Sequence, residues 1–308
     1  MKQVIIDVDT GLDDALALIL AINSKKLDIR GITTVSGNTT VELATTNTLK
    51  VLSLLHRTDI EVYEGYGQPK ARKIIFRDSV HGENGLAGQL KDINTKEKNS
   101  KHAVDFIIDE VNKYPGQVTL IMLAPLTNLA MAFEKDSEIK GKIKEVYVMG
   151  GVVEGPGNES PAAEFNFYTD PESAYEVLHS GVPIKLIGLD VTRQAQLFEK
   201  DLIDNIKYRT DLTQFVENVA RYYIDKYSVG KLEKSCALHD PLAVGVAIDE
   251  GIVVMKDYFV DVEYSSRICD GQSVCDFKNR LGKAPNVKVA LELDKDKFIE
   301  MFLKSILV

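Results

Sequence analysis

Cysteine is scarce in this 308-residue sequence, which has only Cys236, Cys269 and Cys275. Three irregularly spaced cysteines support neither a disulfide framework nor a four-thiolate zinc site. They fit a reducing compartment, in which thiols serve as small buried apolar side chains. Long hydrophobic runs are also missing, because the longest, residues 15–22, is far shorter than the ~20 residues that span a bilayer. Since the N-terminus has no signal-peptide pattern, the sequence predicts a cytoplasmic protein with no membrane partner.

Positive charge is in deficit. Lys and Arg number 37 against 46 Asp and Glu, which gives a formal net charge of −9. This balance argues against a nucleic-acid polymer as a partner, because such a partner needs a positive protein surface, but it leaves a small nucleic-acid component as a candidate substrate. Hydrophobic residues at 44% and charged residues at 27% are typical of an ordered globular chain. Because no linker, repeat or low-complexity tract divides the chain, we expect a single domain over residues 1–308.

Short apolar runs alternate with segments of helical spacing in the first two thirds of the chain. The pattern predicts strands at 4–8, 29–35, 118–123, 145–149 and 184–188. It predicts helices at 13–21, 41–55, 102–111 and 171–178, and one that opens at Pro125. In the second helix, Leu43, Leu49, Leu52 and Leu55 form the apolar face. This rhythm predicts an α/β fold with a mainly parallel central sheet flanked by helices, a Rossmann-like open sheet.

The alternation loosens after residue 190. One long helix is expected over residues 201–227, and a short apolar helix over 241–248 with Asp240 as its cap. Strands at 253–264, 267–276 and 287–293 predict a small antiparallel extension near the C-terminus, and residues 295–303 predict a final helix.

The most distinctive feature is the string DVDTGLDD at residues 7–14, which places four aspartates where the first predicted strand ends. In doubly wound sheets the carboxyl ends of the strands hold the ligand. Like charges this close repel each other unless a proton or cation intervenes, and Ca²⁺ and Mg²⁺ both prefer oxygen ligands. A single aspartate would be explained by the helix dipole alone, whereas four favour a metal site. His239-Asp240 precedes a second apolar helix, where Asp240 by itself reads equally well as a cap.

An ordered set of motifs resembles the nucleoside hydrolases, the inosine-uridine preferring nucleoside N-ribohydrolase family. The set consists of DVDTGLDD at 7–14, GNT at 37–39, HGENGL at 81–86, APLTNL at 124–129, MGG at 149–151, AEFNFYTDP at 163–171 and HDP at 239–241. One such fragment would be weak, but together they follow the order of the family over nearly the whole chain.

The resemblance implies Ca²⁺-dependent hydrolysis of the N-glycosidic bond of ribonucleosides, which gives free base and ribose. The partner is then a small-molecule ribonucleoside, and the assembly a homodimer or homotetramer. The implied calcium ligands are Asp9, Asp14, Asp240 and the backbone carbonyl of Leu123. The implied catalytic residues are Asp9, which accepts a proton from the attacking water, and His239, which donates to the departing base.

The resemblance also implies a set of substrate-binding residues. Asp13 would contact the ribose 2′-hydroxyl and Asn166 the 3′-hydroxyl. Glu164 and Asn158 would hold the 5′-hydroxyl, and Asn38 would orient the site near Asp9. The residues expected at the base are His81, Tyr223 and Tyr227.

Tyr223 and Tyr227 are four residues apart on a predicted helix and therefore share a face. The resemblance implies that this face forms a wall over the base, although a pair packed into the core would have the same spacing. Two tyrosines favour the broad inosine-uridine type. The alternative is the pyrimidine-specific type, which tends to carry Gln at the first of the two positions.

Two other functions fit parts of the pattern. A haloacid-dehalogenase-type phosphatase would use Asp7 as nucleophile and Asp9 as acid. That type wants Thr or Val where this chain has Gly11, and it explains neither Asp13 nor His239. A non-catalytic nucleoside- or sugar-binding protein of the same fold would need neither the base Asp9 nor the acid His239. Release of ribose, release of phosphate from a monoester, and binding without turnover separate the three functions.

Overall fold

The structure, a computed structural model, describes residues 1–74, 82, 84–228 and 233–307. The strands are β1 (Lys2–Val8), β2 (Leu27–Thr34), β3 (Val62–Glu64), β4 (Val118–Met122), β5 (Glu145–Met149), β6 (Ile184–Ile187), β7 (Gln196–Phe198), β8 (Ser235–Ala237), β9 (Val253–Tyr258), β10 (Val260–Val262), β11 (Ser273–Cys275) and β12 (Val287–Leu293). The helices are α1 (Leu12–Asn23), α2 (Val41–Leu54), α3 (Ala103–Lys113), α4 (Thr127–Lys135), α5 (Phe165–Thr169), α6 (Pro171–Leu178), α7 (Leu189–Thr192), α8 (Glu199–Asn205), α9 (Asp211–Tyr227), α10 (His239–Ile248) and α11 (Lys295–Ile306). Short 3-10 helices lie at Ser137–Gly141 and Glu250–Ile252.

A single large sheet organises the part of the chain that the structure describes. Its eight strands follow the order β3-β2-β1-β4-β5-β6-β12-β9. All neighbours in it are parallel except β9, which runs antiparallel to β12 at the edge. The strands β10 and β11 form a separate antiparallel pair near the C-terminus. The predicted α/β class, with its mainly parallel sheet and small antiparallel extension, is therefore confirmed.

The strand order reverses direction at the centre of the sheet. From β1 the chain builds β2 and β3 on one side, and then crosses to build β4, β5 and β6 on the other. Such a reversal opens a crevice at the carboxyl ends of the two central strands, where α/β proteins bind their ligands. Asp9 follows the end of β1 and Leu123 follows the end of β4. Two of the predicted calcium ligands therefore lie at this crevice.

Two helices that are buried on all sides carry acidic residues into the interior. Every residue of α1 from Leu12 to Ile22 is buried, and so is every residue of α10 from His239 to Ala247. Helices that are apolar around their whole circumference belong to the core, and these two pack against each other. Asp13 and Asp240 each stand in the first turn of one of these helices, so the apolar packing also brings their carboxylates below the surface.

The structure corrects several predicted boundaries. The long helix expected over residues 201–227 is two helices, α8 and α9, and Thr210 caps the second by accepting a hydrogen bond from the Thr213 backbone nitrogen. The helix expected to open at Pro125 begins at Thr127. Asp240 is not a cap, because it lies inside the first turn of α10. The strand expected over 253–264 is split between β9 and β10, and the one expected over 267–276 is confined to β11.

No helix in the described ranges combines the length and the apolar composition needed to cross a membrane.

Candidate active site

Three buried carboxylates meet where α1 and α10 begin. Asp13, Asp14 and Asp240 each offer an oxygen atom, and these atoms lie within 4.8 Å of one another. Their exposed fractions are 6%, 0% and 3%. Burial, followed by the charges of Asp13 and Asp14, raises the pKa of Asp240 well above its usual range, and burial raises the pKa of Asp13 to about 6. A bound cation would stabilise the ionised forms of these groups.

The donor atoms of this carboxylate cluster fit a hard divalent cation. Asp13 Oδ1 is buried and has no hydrogen-bond partner among the described residues. The cluster offers oxygen atoms only, which suits Ca²⁺ or Mg²⁺ better than Zn²⁺ with its preference for nitrogen and sulfur. Of the predicted ligands, Asp14 and Asp240 are members of the cluster. Asp13, which the sequence assigned to the ribose instead, is the third member.

Asp9 adjoins the cluster and is held by Asn38. The backbone nitrogen of Asn38 donates to Asp9 Oδ2 at 2.5 Å, and its Nδ2 donates to Asp9 Oδ1 at 3.1 Å and to Asp14 Oδ2 at 3.2 Å. The backbone nitrogen of Asp9 in turn donates to Asp14 Oδ1 at 3.3 Å. Burial, followed by the charge of Asp14, raises the pKa of Asp9 well above its usual range. The structure thus brings Asp9, Asp14 and Asn38 into one hydrogen-bonded group.

Asn166 connects the ends of β4 and β5. Its Nδ2 donates to the Leu123 carbonyl at 2.9 Å and to the Met149 carbonyl at 3.1 Å. Because these bonds engage both amide hydrogens, Oδ1 is the side-chain atom that a sugar hydroxyl would contact. The carbonyl of Leu123, the fourth predicted calcium ligand, lies at the same point of the sheet.

Glu164 is buried and serves as the cap of α5. Its Oε1 accepts from the Asn166 backbone nitrogen at 2.9 Å, and its Oε2 accepts from Gly151 at 2.9 Å and from Phe167 at 3.2 Å. Burial raises its pKa to about 7, against the lowering effect of these backbone donors. Asn158 is exposed, and its Oδ1 accepts from the backbone nitrogen of Phe165, the first residue of α5. Both predicted contacts of the 5′-hydroxyl therefore lie at the start of α5.

Tyr223 connects the carboxylate cluster to the aromatic pair on α9. Its hydroxyl donates to Asp13 Oδ2 at 3.3 Å, and only 2% of the residue is exposed. Its ring meets that of Tyr227 edge to face, with a centroid separation of 4.8 Å and an angle of 74° between the ring planes. The tyrosines therefore share a face, as their spacing predicts, and that face borders the carboxylates.

His239 precedes Asp240 at the start of α10 and is 9% exposed. Its Nδ1 lies 2.8 Å from Thr192 Oγ1, the hydroxyl of a fully buried residue at the end of α7. The other predicted histidine, His81, lies outside the described residues.

Asn128, to which the sequence pattern assigned no role, lies in a buried hydrogen-bonded group with Asp7. Asp7 is fully buried, and its Oδ1 accepts from Thr33 Oγ1 and from Asn128 Nδ2, the latter at 2.8 Å. Asn128 also donates to the Thr34 carbonyl at 3.0 Å, so it ties β1 and β2 to α4. The sequence signal that pointed to Asn128 was its position within the APLTNL motif. A carboxylate enclosed in this way is a poor nucleophile for a phosphate ester, which counts against the phosphatase alternative.

Gly37 lies against the carboxylate of Asp9. A β-carbon at residue 37 would overlap Asp9 Oδ2 and approach Pro125 Cδ to 2.9 Å. Only glycine therefore lets the turn before Asn38 approach Asp9 this closely.

Comparison with known proteins identifies the family. A family model described as inosine-uridine preferring nucleoside hydrolase matches residues 4–300. The pyrimidine-specific ribonucleoside hydrolase RihA of Shewanella sp. strain MR-7 is 33% identical over 308 residues, covering 100% of this chain and 96% of the relative. A solved plant nucleoside hydrolase has a TM-score of 0.93 at 31% identity, covering 100% of this chain and 99% of its own. A purine-preferring ribonucleoside hydrolase from Gardnerella vaginalis has a TM-score of 0.92 at 31% identity, covering 99% and 98%. The family predicted from the motifs is thereby confirmed, and this chain belongs to the inosine-uridine preferring nucleoside hydrolases, a family of ribonucleoside N-glycosidases.

Proposed function

We propose that this chain hydrolyses ribonucleosides to free base and ribose in a Ca²⁺-dependent reaction. The observation that carries the proposal is the buried carboxylate cluster of Asp13, Asp14 and Asp240 at the crevice of the sheet. The side-chain amide of Asn38 links Asp9 to this cluster, because its Nδ2 donates to both Asp9 and Asp14. Calcium is favoured because the donor set is oxygen only and combines carboxylates with a backbone carbonyl.

The proposed calcium ligands are Asp9, Asp14, Asp240 and the carbonyl of Leu123. Asp13, whose Oδ1 is a buried oxygen without a hydrogen-bond partner among the described residues, would face the ribose 2′-hydroxyl beside them. A divalent cation held there would polarise a bound water and orient the ribose diol.

Cleavage of an N-glycosidic bond builds positive charge on the ribose. Buried carboxylates stabilise this charge more strongly than water would, because little solvent screens them. Asp9 accepts the proton of the attacking water, and Asn38 holds the Asp9 carboxylate in place with two hydrogen bonds.

The sugar is oriented by groups at the ends of β4 and β5. Asn166 offers Oδ1 to the 3′-hydroxyl, since its amide hydrogens are engaged by backbone carbonyls. Glu164 and Asn158 hold the 5′-hydroxyl from the start of α5. Holding the ribose at several hydroxyls lowers the activation barrier of hydrolysis, because the entropy cost of orienting the reacting atoms is met when the substrate binds.

The departing base leaves towards His239 and the aromatic pair on α9. His239 donates a hydrogen bond to the base. Tyr223 and Tyr227 form an apolar wall beside the base. We favour turnover of both inosine and uridine, because aromatic rings can pack against either class of base without a specific hydrogen-bond pattern. The alternative is a preference for pyrimidines, as in the relative from Shewanella, whereas the similar structure from Gardnerella is purine-preferring.

We also propose a homodimer or homotetramer in the cytoplasm. Sedimentation equilibrium of the purified chain tests the assembly, since a mass near 34.2 kDa would identify a monomer instead.

Ribose release from inosine, adenosine, uridine and cytidine tests the function. Protein treated with a chelator should lose activity and regain it with Ca²⁺. Activity that survives complete removal of divalent cations would contradict the calcium requirement. Turnover of uridine and cytidine alone would favour the pyrimidine-specific alternative.

A further inference from the structure

We infer that Thr192 is a positioning residue: its hydroxyl donates a hydrogen bond to His239 Nδ1 and fixes the ring hydrogen on Nε2, facing the departing base. The inference rests on the proposed function, in which His239 assists the departure of the base.

The contact joins two buried side chains that are far apart in the sequence. Thr192 Oγ1 lies 2.8 Å from His239 Nδ1. Thr192 is the last residue of α7, which follows β6, and His239 is the first residue of α10. The two helices pack against each other, so both backbones are held by the core. Such a contact has a fixed geometry, unlike a hydrogen bond between exposed side chains.

The direction of this hydrogen bond follows from the burial of the Thr192 hydroxyl. A buried hydroxyl hydrogen requires an acceptor. Within the described ranges, His239 Nδ1 is the partner that the structure gives to Thr192 Oγ1. Nδ1 accepts only when it carries no hydrogen, and in a neutral imidazole the hydrogen then lies on Nε2. Thr192 therefore sets both the tautomer and the rotation of the ring, as a partner on one ring nitrogen generally does.

This tautomer suits the electron flow of hydrolysis. When the C1′–N bond breaks, its electron pair stays on the base, while the water oxygen bonds to C1′ and one water proton passes to Asp9. The Nε2–H group stabilises the electron pair on the base through a hydrogen bond, with no proton transfer from the ring. This charge develops only as the bond breaks. Removal of the Thr192 hydroxyl should therefore lower kcat and leave KM unchanged.

A purely structural role for Thr192 would give a different result. In that case the hydroxyl only satisfies a buried histidine nitrogen, and its removal would disturb the site for every substrate. The distinguishing quantity is therefore how strongly the effect depends on the leaving group.

The test compares the variants Thr192→Val and Thr192→Ser. Valine keeps the branched shape but loses the hydroxyl, whereas serine keeps the hydroxyl. The substrates are the ribonucleoside that the wild-type enzyme turns over fastest and p-nitrophenyl β-D-ribofuranoside, whose nitrophenolate leaves without help. We expect Thr192→Val to lower kcat for the nucleoside by ~10- to 100-fold, by analogy with the loss of a hydrogen-bond partner from a metal-bound histidine. KM and turnover of the aryl riboside should be unchanged, and Thr192→Ser should restore nucleoside turnover.

Turnover of the aryl riboside also reports that Thr192→Val is folded and carries a competent sugar site. Equal losses on both substrates would overturn the inference in favour of a structural role, and so would an unchanged rate on the nucleoside. Adding Thr192→Val to His239→Ala should cause no further loss on the nucleoside, since Thr192 acts through His239; a further loss would overturn the inference. A wild-type protein that releases ribose from no ribonucleoside would contradict the proposed function instead.

Discussion

Asn38 binds the carboxylate of Asp9 from two directions, through its backbone nitrogen at 2.5 Å from Oδ2 and its Nδ2 at 3.1 Å from Oδ1. The same Nδ2 lies 3.2 Å from Asp14 Oδ2. One turn after β2 therefore aligns the proposed base with a proposed metal ligand.

Asp9→Asn should remove the base while keeping the shape of the side chain. We expect kcat for inosine or uridine to fall by ~100- to 10,000-fold, the range for general-base catalysis, because the amide cannot accept the proton of the water. Steady-state ribose release measures this effect. Asp204→Asn, on the exposed surface of α8, is the matched control and should behave like the wild type. Wild-type turnover by Asp9→Asn would refute the role of Asp9.

Gly37→Ala should displace the carboxylate of Asp9. A β-carbon at residue 37 would overlap Asp9 Oδ2, whereas one at Gly141 would meet no atom within 4 Å. A displacement of about 1 Å near the reacting atoms is expected to cost ~100-fold in kcat. Parallel kinetics of Gly37→Ala and Gly141→Ala check this, with circular dichroism to confirm folding. Equal activity of the two variants would show that Asp9 tolerates the movement.

Tyr223→Phe should weaken the hold on Asp13 without removing the aromatic wall. The hydroxyl donates to Asp13 Oδ2, and the loss of one such bond lowers kcat/KM by ~3- to 10-fold. If Asp13 grips the 2′-hydroxyl, this loss applies to uridine and disappears for 2′-deoxyuridine. Tyr208→Phe, at a residue that is 78% exposed, is the control. An equal loss on both nucleosides would assign Tyr223 to the base rather than to Asp13.

The metal-free protein should lose stability as the pH rises from 5 to 8. Burial raises the pKa of Asp13 to about 6 and the pKa values of Asp7 and Glu164 to about 7, above the values of the unfolded chain. A group whose pKa is raised by folding stabilises the protein fully below its unfolded pKa, and this contribution is lost as the pH passes the folded pKa. Melting temperatures across this range measure the effect.

Calcium should reduce this dependence of stability on pH. The bound cation would stabilise the ionised form of the buried carboxylates, whereas in the metal-free protein protonation relieves their charge. A melting temperature of the metal-free protein that rises between pH 5 and pH 8 would contradict the proposed burial of these carboxyl groups.

Much of the fold was accessible from the sequence, because regular elements repeat a simple pattern. The predicted bounds 145–149, 171–178 and 287–293 agree with β5, α6 and β12. Each of these elements has a clear apolar run or, for α6, an Asp-Pro start. The three-residue strands β3, β7 and β8 were missed, since so short a segment has no detectable period.

The face of α2 shows why apolar spacing can mislead. Leu43 was predicted to face the core, yet it is 37% exposed. The buried face instead carries Thr45 and Thr48, whose hydroxyls lie 2.7 Å from those of Thr34 and Thr10. A helix that packs against the polar end of a sheet buries hydrogen-bonding side chains, and a count of apolar residues cannot register them.

The candidate site was predicted unevenly for a similar reason. Asp13 and Asp14 are close in sequence, and the motifs added Asp240 from far along the chain, so their meeting could be expected. The contact between Thr192 and His239 spans 47 positions and depends on how α7 packs against α10. No local pattern encodes such a contact, and only the tertiary structure reveals it.

Titration of the metal-free protein with Ca²⁺, followed in parallel by calorimetry and by ribose release from inosine and uridine, tests the central claim most directly. We predict one ion bound per chain and activity that rises in proportion to occupancy. Asp240→Asn should lose both binding and activity, because it removes one anionic member of the carboxylate cluster. Full activity at zero calcium occupancy, or wild-type calcium binding by Asp240→Asn, would contradict the account.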